Sequence, residues 1–192
     1  ALAFGGAEPT SPGQWTEEYD GTNWTAQNNL GTGRYQLMGN NVGTQTAALC
    51  VGGYISTAKD LVEEYDGTNW TATTALPTAG GNQMRVGLST TALAAGGTPG
   101  PNDGTKCYSF DGSTWTATAS LATPRSSTSG AGNNTSAVDA GAPSNSATSE
   151  EFNVSINTTT AAAWASGTNM PEANYGAGSF GTQSAFVYFG GM

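Results

Sequence analysis

The segment Glu17–Trp24 reads EEYDGTNW, and Glu63–Trp70 repeats it residue for residue. A third copy, Tyr108–Trp115, reads YSFDGSTW. A fourth is degenerate, with EEFN at Glu150–Asn153 and its tryptophan delayed to Trp164. Trp24, Trp70, Trp115 and Trp164 fall 46, 45 and 49 residues apart. A period of this size means that each copy is one supersecondary unit, which buries its faces against further copies of itself.

Two more markers keep the same step. ALAFGG at Ala1–Gly6 returns as ALCVGG at Ala48–Gly53 and ALAAGG at Ala92–Gly97, weakens to AVDAGA at Ala137–Ala142, and recurs as FVYFGG at Phe186–Gly191. Leu30-Gly-Thr-Gly-Arg34, Leu76-Pro-Thr-Ala-Gly80, Leu121-Ala-Thr-Pro-Arg125 and Met170-Pro-Glu-Ala-Asn174 form the third series. Repeats of approximately 1–46, 47–91, 92–136 and 137–184, with a partial fifth strand at 185–192, are expected to make one domain of 1–192.

Each repeat divides into four strand-like pieces. A Gly-rich inner strand, such as Arg34–Asn40 or Asn174–Phe180, precedes the apolar strand that ends in Gly-Gly. The alternating strand of the TEEYD type comes next, and a short strand around NWTA closes the unit. Asp20-Gly21, Asp66-Gly67 and Asp111-Gly112 join the last two as hairpin turns, where glycine supplies the positive φ. No stretch has sustained helical periodicity with caps, so the expectation is all-β with almost no helix. Four short antiparallel strands at this period match a propeller blade; a β-helix or a sandwich is the structural alternative.

Composition narrows the function classes. The chain of 192 residues carries 28 glycines and only 10% charged residues, against about 25% in an ordinary soluble domain. Its five Trp, seven Tyr and six Phe set it apart from a disordered Gly/Ser linker. The net charge is −9, and the five basic residues Arg34, Lys59, Arg85, Lys106 and Arg125 are scattered. That pattern speaks against nucleic acid and against an anionic membrane surface as partners. No apolar run approaches the roughly 18 residues of a spanning helix, and no signal peptide is expected.

Histidine is absent, which removes Ser-His-Asp and Cys-His catalysis and histidine metal sites. No phosphate-binding G-x-x-x-x-G-K-[ST] loop is present. No catalytic residue, cofactor or metal is expected, and the chain reads as a non-enzyme. The pairs Glu17-Glu18, Glu63-Glu64 and Glu150-Glu151 invite a glycosidase reading. Adjacent strand residues point to opposite faces, however, and one pair per repeat suggests a contact made once per unit. A salt bridge from such a carboxylate to Arg34 or Arg125 would be worth little if exposed. Asp20-Gly-Thr-Asn23 and its copies loosely match calcium loops but lack the closing bidentate Glu. Cys50 and Cys107 sit where other repeats carry small or apolar residues and read as buried free thiols, with a disulfide as the alternative.

The order of an apolar strand ending in Gly-Gly, then an aromatic, then Trp resembles the kelch repeat. Gly52-Gly53, Tyr65 and Trp70 fill those places, as do Gly5-Gly6, Tyr19 and Trp24, and Gly96-Gly97, Phe110 and Trp115. The resemblance implies a kelch-like β-propeller of about four four-stranded blades, closed by mixing N- and C-terminal strands. Asn174–Gly191 would then pair with Thr16–Thr25, leaving Ala1–Gly6 surplus. The short, Thr-, Asn- and Gly-rich form that reads EEYDGTNW looks like arrays in structural proteins of tailed bacteriophages. It implies a virion component, such as a tail fibre, appendage or capsid decoration. Kelch-like galactose oxidases use histidine ligands to copper, and this chain has none.

In such a fold the loops after Gly-Gly and after the Trp strand share one face: Ala7–Trp15, Tyr54–Asp60, Thr98–Thr105 and Ala142–Thr148, with Gln27–Gly33 and Thr73–Gly80. Variable loops on a rigid scaffold are where binding resides. Trp15, Tyr54 and Lys59 are the candidate binding residues, Trp15 because it lies outside the repeated Trp position. The expected partners are other virion proteins or a host-surface glycan, and a homo-oligomer is a further expectation. A bacterial extracellular adhesive or protein-interaction propeller is the alternative, and a glycan-active enzyme ranks last.

Overall fold

The computed structural model describes residues 1–7, 12–37, 40–98, 104–141, 147–154, 163–166, 168, 178–182 and 185–189. Every regular element among them is a strand, as the repeat pattern predicts. The first unit is β1 (Leu2–Phe4), β2 (Thr16–Tyr19) and β3 (Trp24–Ala26), and the second is β4 (Asn40–Thr44), β5 (Ala47–Val51), β6 (Val62–Tyr65) and β7 (Trp70–Thr73). The third comprises β8 (Met84–Leu88), β9 (Thr91–Ala95), β10 (Cys107–Phe110) and β11 (Trp115–Thr118). The fourth comprises β12 (Ser129–Gly132), β13 (Ser136–Ala140), β14 (Ser149–Asn153) and β15 (Ala163–Ser166). A final hairpin is β16 (Gly178–Thr182) and β17 (Ala185–Phe189).

Within each unit the strands lie antiparallel in chain order. The first unit has three strands, and the fourth has four. The second and third units join through β4 and β8, which run parallel in the register Asn40↔Arg85 to Val42↔Gly87. The result is one curled sheet of eight strands. Register repeats from unit to unit. Tyr19↔Trp24, Tyr65↔Trp70, Phe110↔Trp115 and Phe152↔Trp164 are the same cross-strand pair, so the delayed tryptophan does take the fourth place.

The turn between the first two strands of a unit explains part of the glycine content. Gly43, Gly87 and Gly132 adopt φ of +105°, +112° and +123°. A Cβ there would collide with the carbonyl oxygens of Ala47, Thr91 and Ser136 respectively. Only glycine turns the chain this tightly without strain.

The core lies between units. One cluster joins Val42, Leu49, Val51, Val62 and Leu76 of the second unit and its exit to Ala92, Ala94, Tyr108, Phe110 and Trp115 of the third. Another joins Met84, Val86, Leu93, Ala95, Cys107 and Leu121 to Ala137 and Phe152 of the fourth. Each fully buried side chain of this size contributes about 1.5–3 kcal/mol. Cys50 and Cys107 are both buried free thiols, and no disulfide joins them.

Two expectations are corrected. The inner strand of the second unit is Asn40–Thr44 and not Arg34–Asn40. Arg34 is tied into the preceding loop, its N–H on the Gly13 carbonyl and its own carbonyl accepting from Gly6 N–H. Gln36 then takes a left-handed φ of 57°, which interrupts any extended strand. In the last repeat the inner strand is Gly178–Thr182; residues 174–177 of the expected Asn174–Phe180 lie outside the described residues. Among the described residues, the terminal strands also do not pair with each other. β2 is flanked by β1 and β3, while β16 pairs with β17 in a sheet of their own. Ala1–Gly6, expected as surplus, supplies β1, which pairs with Thr16, Glu17 and Glu18 of β2. The marker Met170–Asn174 lies outside the described residues, as do residues 8–11, 99–103 and 142–146 of the loops.

Candidate functional site

The segment after Gly-Gly and the segment entering the next unit lie together, as the alternation of strand direction requires. Gly6, Gly53 and Gly97 donate their N–H groups to the carbonyls of Arg34, Gly80 and Arg125. Leu30, Leu76 and Leu121 are buried beneath these crossings. A second set of backbone bonds steps from unit to unit, from Asn82 N–H to Gln36 O and from Ser127 N–H to Asn82 O. All three residues have φ between 53° and 57°, a repeated left-handed kink where each chain segment enters a unit.

Trp15, Tyr54 and Lys59 are all on this side. Trp15 is 39% exposed, and its ring lies along Gly6 and Gly13 of its own loop. Its carbonyl accepts from Gly5 N–H, so the indole is held at the surface by a fixed backbone. Tyr54 exchanges two backbone hydrogen bonds with Tyr35, and their rings stand 5.4 Å apart. Lys59 donates through Nζ to Thr57 Oγ1 at 3.2 Å and through its backbone to Gly53 O. Among the described residues, no hydrogen bond or ring contact joins Trp15 to Tyr54 or Lys59. Tyr35 is the surface aromatic that sequence reasoning misses. Gly81 and Ser126 occupy its place in the later units, so no repeated signal marks it.

The paired glutamates divide as strand alternation requires: Glu63 is buried and Glu64 exposed. Glu63 Oε1 accepts from Arg34 Nη2 at 2.8 Å, with both side chains nearly inaccessible. Its two oxygens also accept from the N–H groups of Gly31 and Thr32, and Arg34 Nη1 donates to the carbonyls of Gly52 and Leu61. The fourth unit repeats the arrangement. Glu150 receives Arg125 Nε at 3.0 Å and the N–H groups of Ala122 and Thr123, and Arg125 Nη1 reaches Gly141 O and Thr148 O. The expectation of a contact made by the glutamates holds in these two units, where the ion pairs are buried and not exposed, and in the first unit, where Glu18 accepts from Tyr65 Oη and Gln45 Nε2. In the third unit Tyr108 and Gly80 replace the Glu and the Arg, and Tyr108 Oη donates to Thr78 Oγ1 at 2.7 Å.

One strand position collects buried ionisable groups. Cys50 on β5 lies near Arg34 and Arg85, and burial pushes its thiol up to about 11. Asp139, at the same place on β13, is fully buried, and neither carboxylate oxygen has a well-formed hydrogen bond. Burial pushes it up to about 7, against the pull of Thr128 and Arg125. The sequence marks Asp139 only as a departure within the weakened AVDAGA copy.

The hairpin aspartates are occupied by their own turns. Asp20 Oδ1 accepts from Thr22 and Asn23 N–H, Asp66 Oδ1 from Thr68 and Asn69, and Asp111 Oδ1 from Ser113 and Thr114. These backbone bonds hold the three carboxyls below the usual range. Among the described residues, no group of three or more His, Cys, Asp or Glu could hold a metal ion.

A cavity of about 430 Å³ lies where the inner strands converge. Gly43, Gly87, Gly132 and Gly181 line it from β4, β8, β12 and β16, together with Leu2 and Phe4 of β1. No protein-family model matches the chain, and no curated protein matches it significantly.

Proposed function

We propose that the units are blades of a kelch-like propeller, set around the glycine-lined cavity. On this reading the chain is a non-enzymatic structural and binding component of a bacteriophage particle. One observation carries the blade reading: the order of inner strand, Gly-Gly strand, aromatic strand and Trp strand recurs with the same register in unit after unit. The parallel meeting of β4 and β8 supports it, because inner strands of neighbouring blades run side by side toward an axis. The carboxylates that most invite catalysis, Glu63 and Glu150, have their oxygens engaged by an arginine and two amides each, which favours a scaffold role.

The binding face is the loop side that carries Trp15, the Tyr35–Tyr54 pair and Lys59. A rigidly held, part-exposed indole suits stacking on a sugar ring or packing on a neighbouring virion protein. Mass spectrometry of purified phage particles tests the first part: peptides of this chain in the particle support the reading, and their absence from particles overturns it. A glycan array then separates the partners. Binding that is lost on Trp15→Ala identifies a host glycan, whereas capture of a virion protein without glycan signal identifies an assembly contact.

A further inference from the structure

The ion-pair site of the fourth unit holds one carboxyl group more than that of the second. Asp139 on β13 lies directly across from Glu150 on β14, where the second unit sets Cys50 across from Glu63. Residues opposite each other on one face of a sheet stand about 5 Å apart, so Asp139 borders the Arg125–Glu150 pair. Thr128 and Arg125, from the segment that enters β12, face it as well. The preceding unit contributes Met84 and Cys107 to the surrounding cluster, and the Cys107 thiol donates to Thr105 O. Asp139 is fully buried, yet neither of its oxygens has a well-formed hydrogen bond.

Arg125 also holds a loop. Its Nη1 donates to Gly141 O at 2.8 Å and to Thr148 O at 3.0 Å, the two ends of the segment that joins β13 to β14. Gly141 N–H donates to Thr148 O and closes those ends on each other. Both carbonyls are neutral acceptors, and a carboxylate holds a guanidinium about twice as strongly. The site does not dictate one orientation of its arginine: Arg34 meets Glu63 through Nη2, whereas Arg125 meets Glu150 through Nε. Burial pushes the Asp139 carboxyl up to about 7, so the competing charge is absent in mild acid and present in mild base.

We infer that ionised Asp139 takes Arg125 Nη1 from the carbonyls of Gly141 and Thr148, so that the ends of the β13–β14 loop are clamped in mild acid and released in mild base. The second unit supplies the internal comparison. There Arg34 Nη1 holds Gly52 O and Leu61 O in the same way, and Gly52 N–H donates to Leu61 O. Cys50 stands in place of the extra acid, and burial pushes its thiol up to about 11, so this clamp stays shut over the same range. The device needs no partner, and its test reads the loop alone, whatever the loop face binds.

Amide hydrogen exchange followed by NMR tests it, with rates expressed as protection factors so that the intrinsic pH dependence of exchange cancels. In the wild-type chain, protection of the Gly141 amide is expected to fall about fivefold or more from about pH 5.5 to about pH 8.5, the scale of one hydrogen bond, while the matching Gly52 amide changes little. Asp139→Asn keeps the shape of the side chain without its charge, so Gly141 stays protected at both pH values. Asp139→Ala, which copies Ala94 of the third unit, gives the same result and serves if the first variant does not fold. A wild-type Gly141 amide that ignores pH overturns the inference. So does an equal loss of protection at Gly52, which marks general loosening, or a Gly141 amide that still loosens in a folded variant.

Discussion

The first and second units carry the same eight residues, EEYDGTNW, and place them in different surroundings. The local structure is the same: the strands pair in one register, the rings of Tyr19–Trp24 and Tyr65–Trp70 stand 5.2 and 5.0 Å apart, and Asp20 and Asp66 close identical turns. Burial is not the same. Tyr65 is inaccessible and Tyr19 is half-buried; Leu49 and Val51 are sealed, whereas Leu2 and Phe4 at the same places are not. The octapeptide therefore specifies a hairpin, while the neighbouring unit specifies how much that hairpin contributes to stability. In a repeat array stability resides in interfaces between units as much as in the units themselves.

The largest test compares Tyr65→Ala with Tyr19→Ala at low protein concentration. Removing a sealed aromatic costs about 3–5 kcal/mol, whereas a half-exposed one costs about 1 kcal/mol. Equal shifts in urea midpoint would break the comparison. Next comes the same contrast for charge. Glu63→Ala leaves the buried Arg34 guanidinium without its carboxylate and should cost about 3 kcal/mol or more. Glu17 holds that position in the first unit, is half-buried, and makes no ion pair among the described residues; Glu17→Ala is expected to cost less than about 1 kcal/mol.

The smallest effect depends on pH. Asp139 holds its proton more tightly folded than unfolded, so stability falls as pH rises from about 4 through about 7 and is flat above. Asp139→Asn should remove that slope and gain on the order of 2 kcal/mol at pH 8, with little gain at pH 4. Placing the same carboxylate at the matching half-exposed position, Ala3→Asp, should produce no such slope. Denaturant midpoints across pH measure both, and a slope at Ala3→Asp would show that strand position and not burial sets the effect.

Much of the architecture is legible in the sequence, because its signals are local. Asp-Gly followed by Thr-Asn or Ser-Thr sets a hairpin whose hydrogen bonds close within four residues. Alternation along Val62–Tyr65 likewise predicts that the two glutamates take opposite faces, but not which one turns inward, because Val62 and Tyr65 are both buried and stand on opposite faces themselves. The start of the inner strand is not legible, since no turn signal stands between Arg34 and Leu37 and only the distant anchor of Arg34 decides where extension begins. The exposure of Trp24 is not legible either, because the same octapeptide is sealed in the second unit and no local pattern records whether another unit packs on it. Of the candidate binding residues, Trp15 is identifiable as a tryptophan out of phase with the repeat. The pairing of Tyr54 with Tyr35 needs the crossing of two loops that no local pattern records.

The slot beneath each Gly-Gly turn has a consequence for how such a chain can change. The second and fourth units fill it with an arginine and a glutamate, and the third fills it with the Tyr108 and Thr78 hydroxyls and a glycine at the arginine's place. Both fillings are self-consistent, but their halves do not mix. Arginine without its acid buries a bare cation, and the acid without arginine buries an uncompensated carboxylate. Conversion between the two in single steps therefore crosses an unstable intermediate. Replacing a whole repeat at once avoids that intermediate, so recombination between copies is an easier route than point mutation for exchanging one filling for the other.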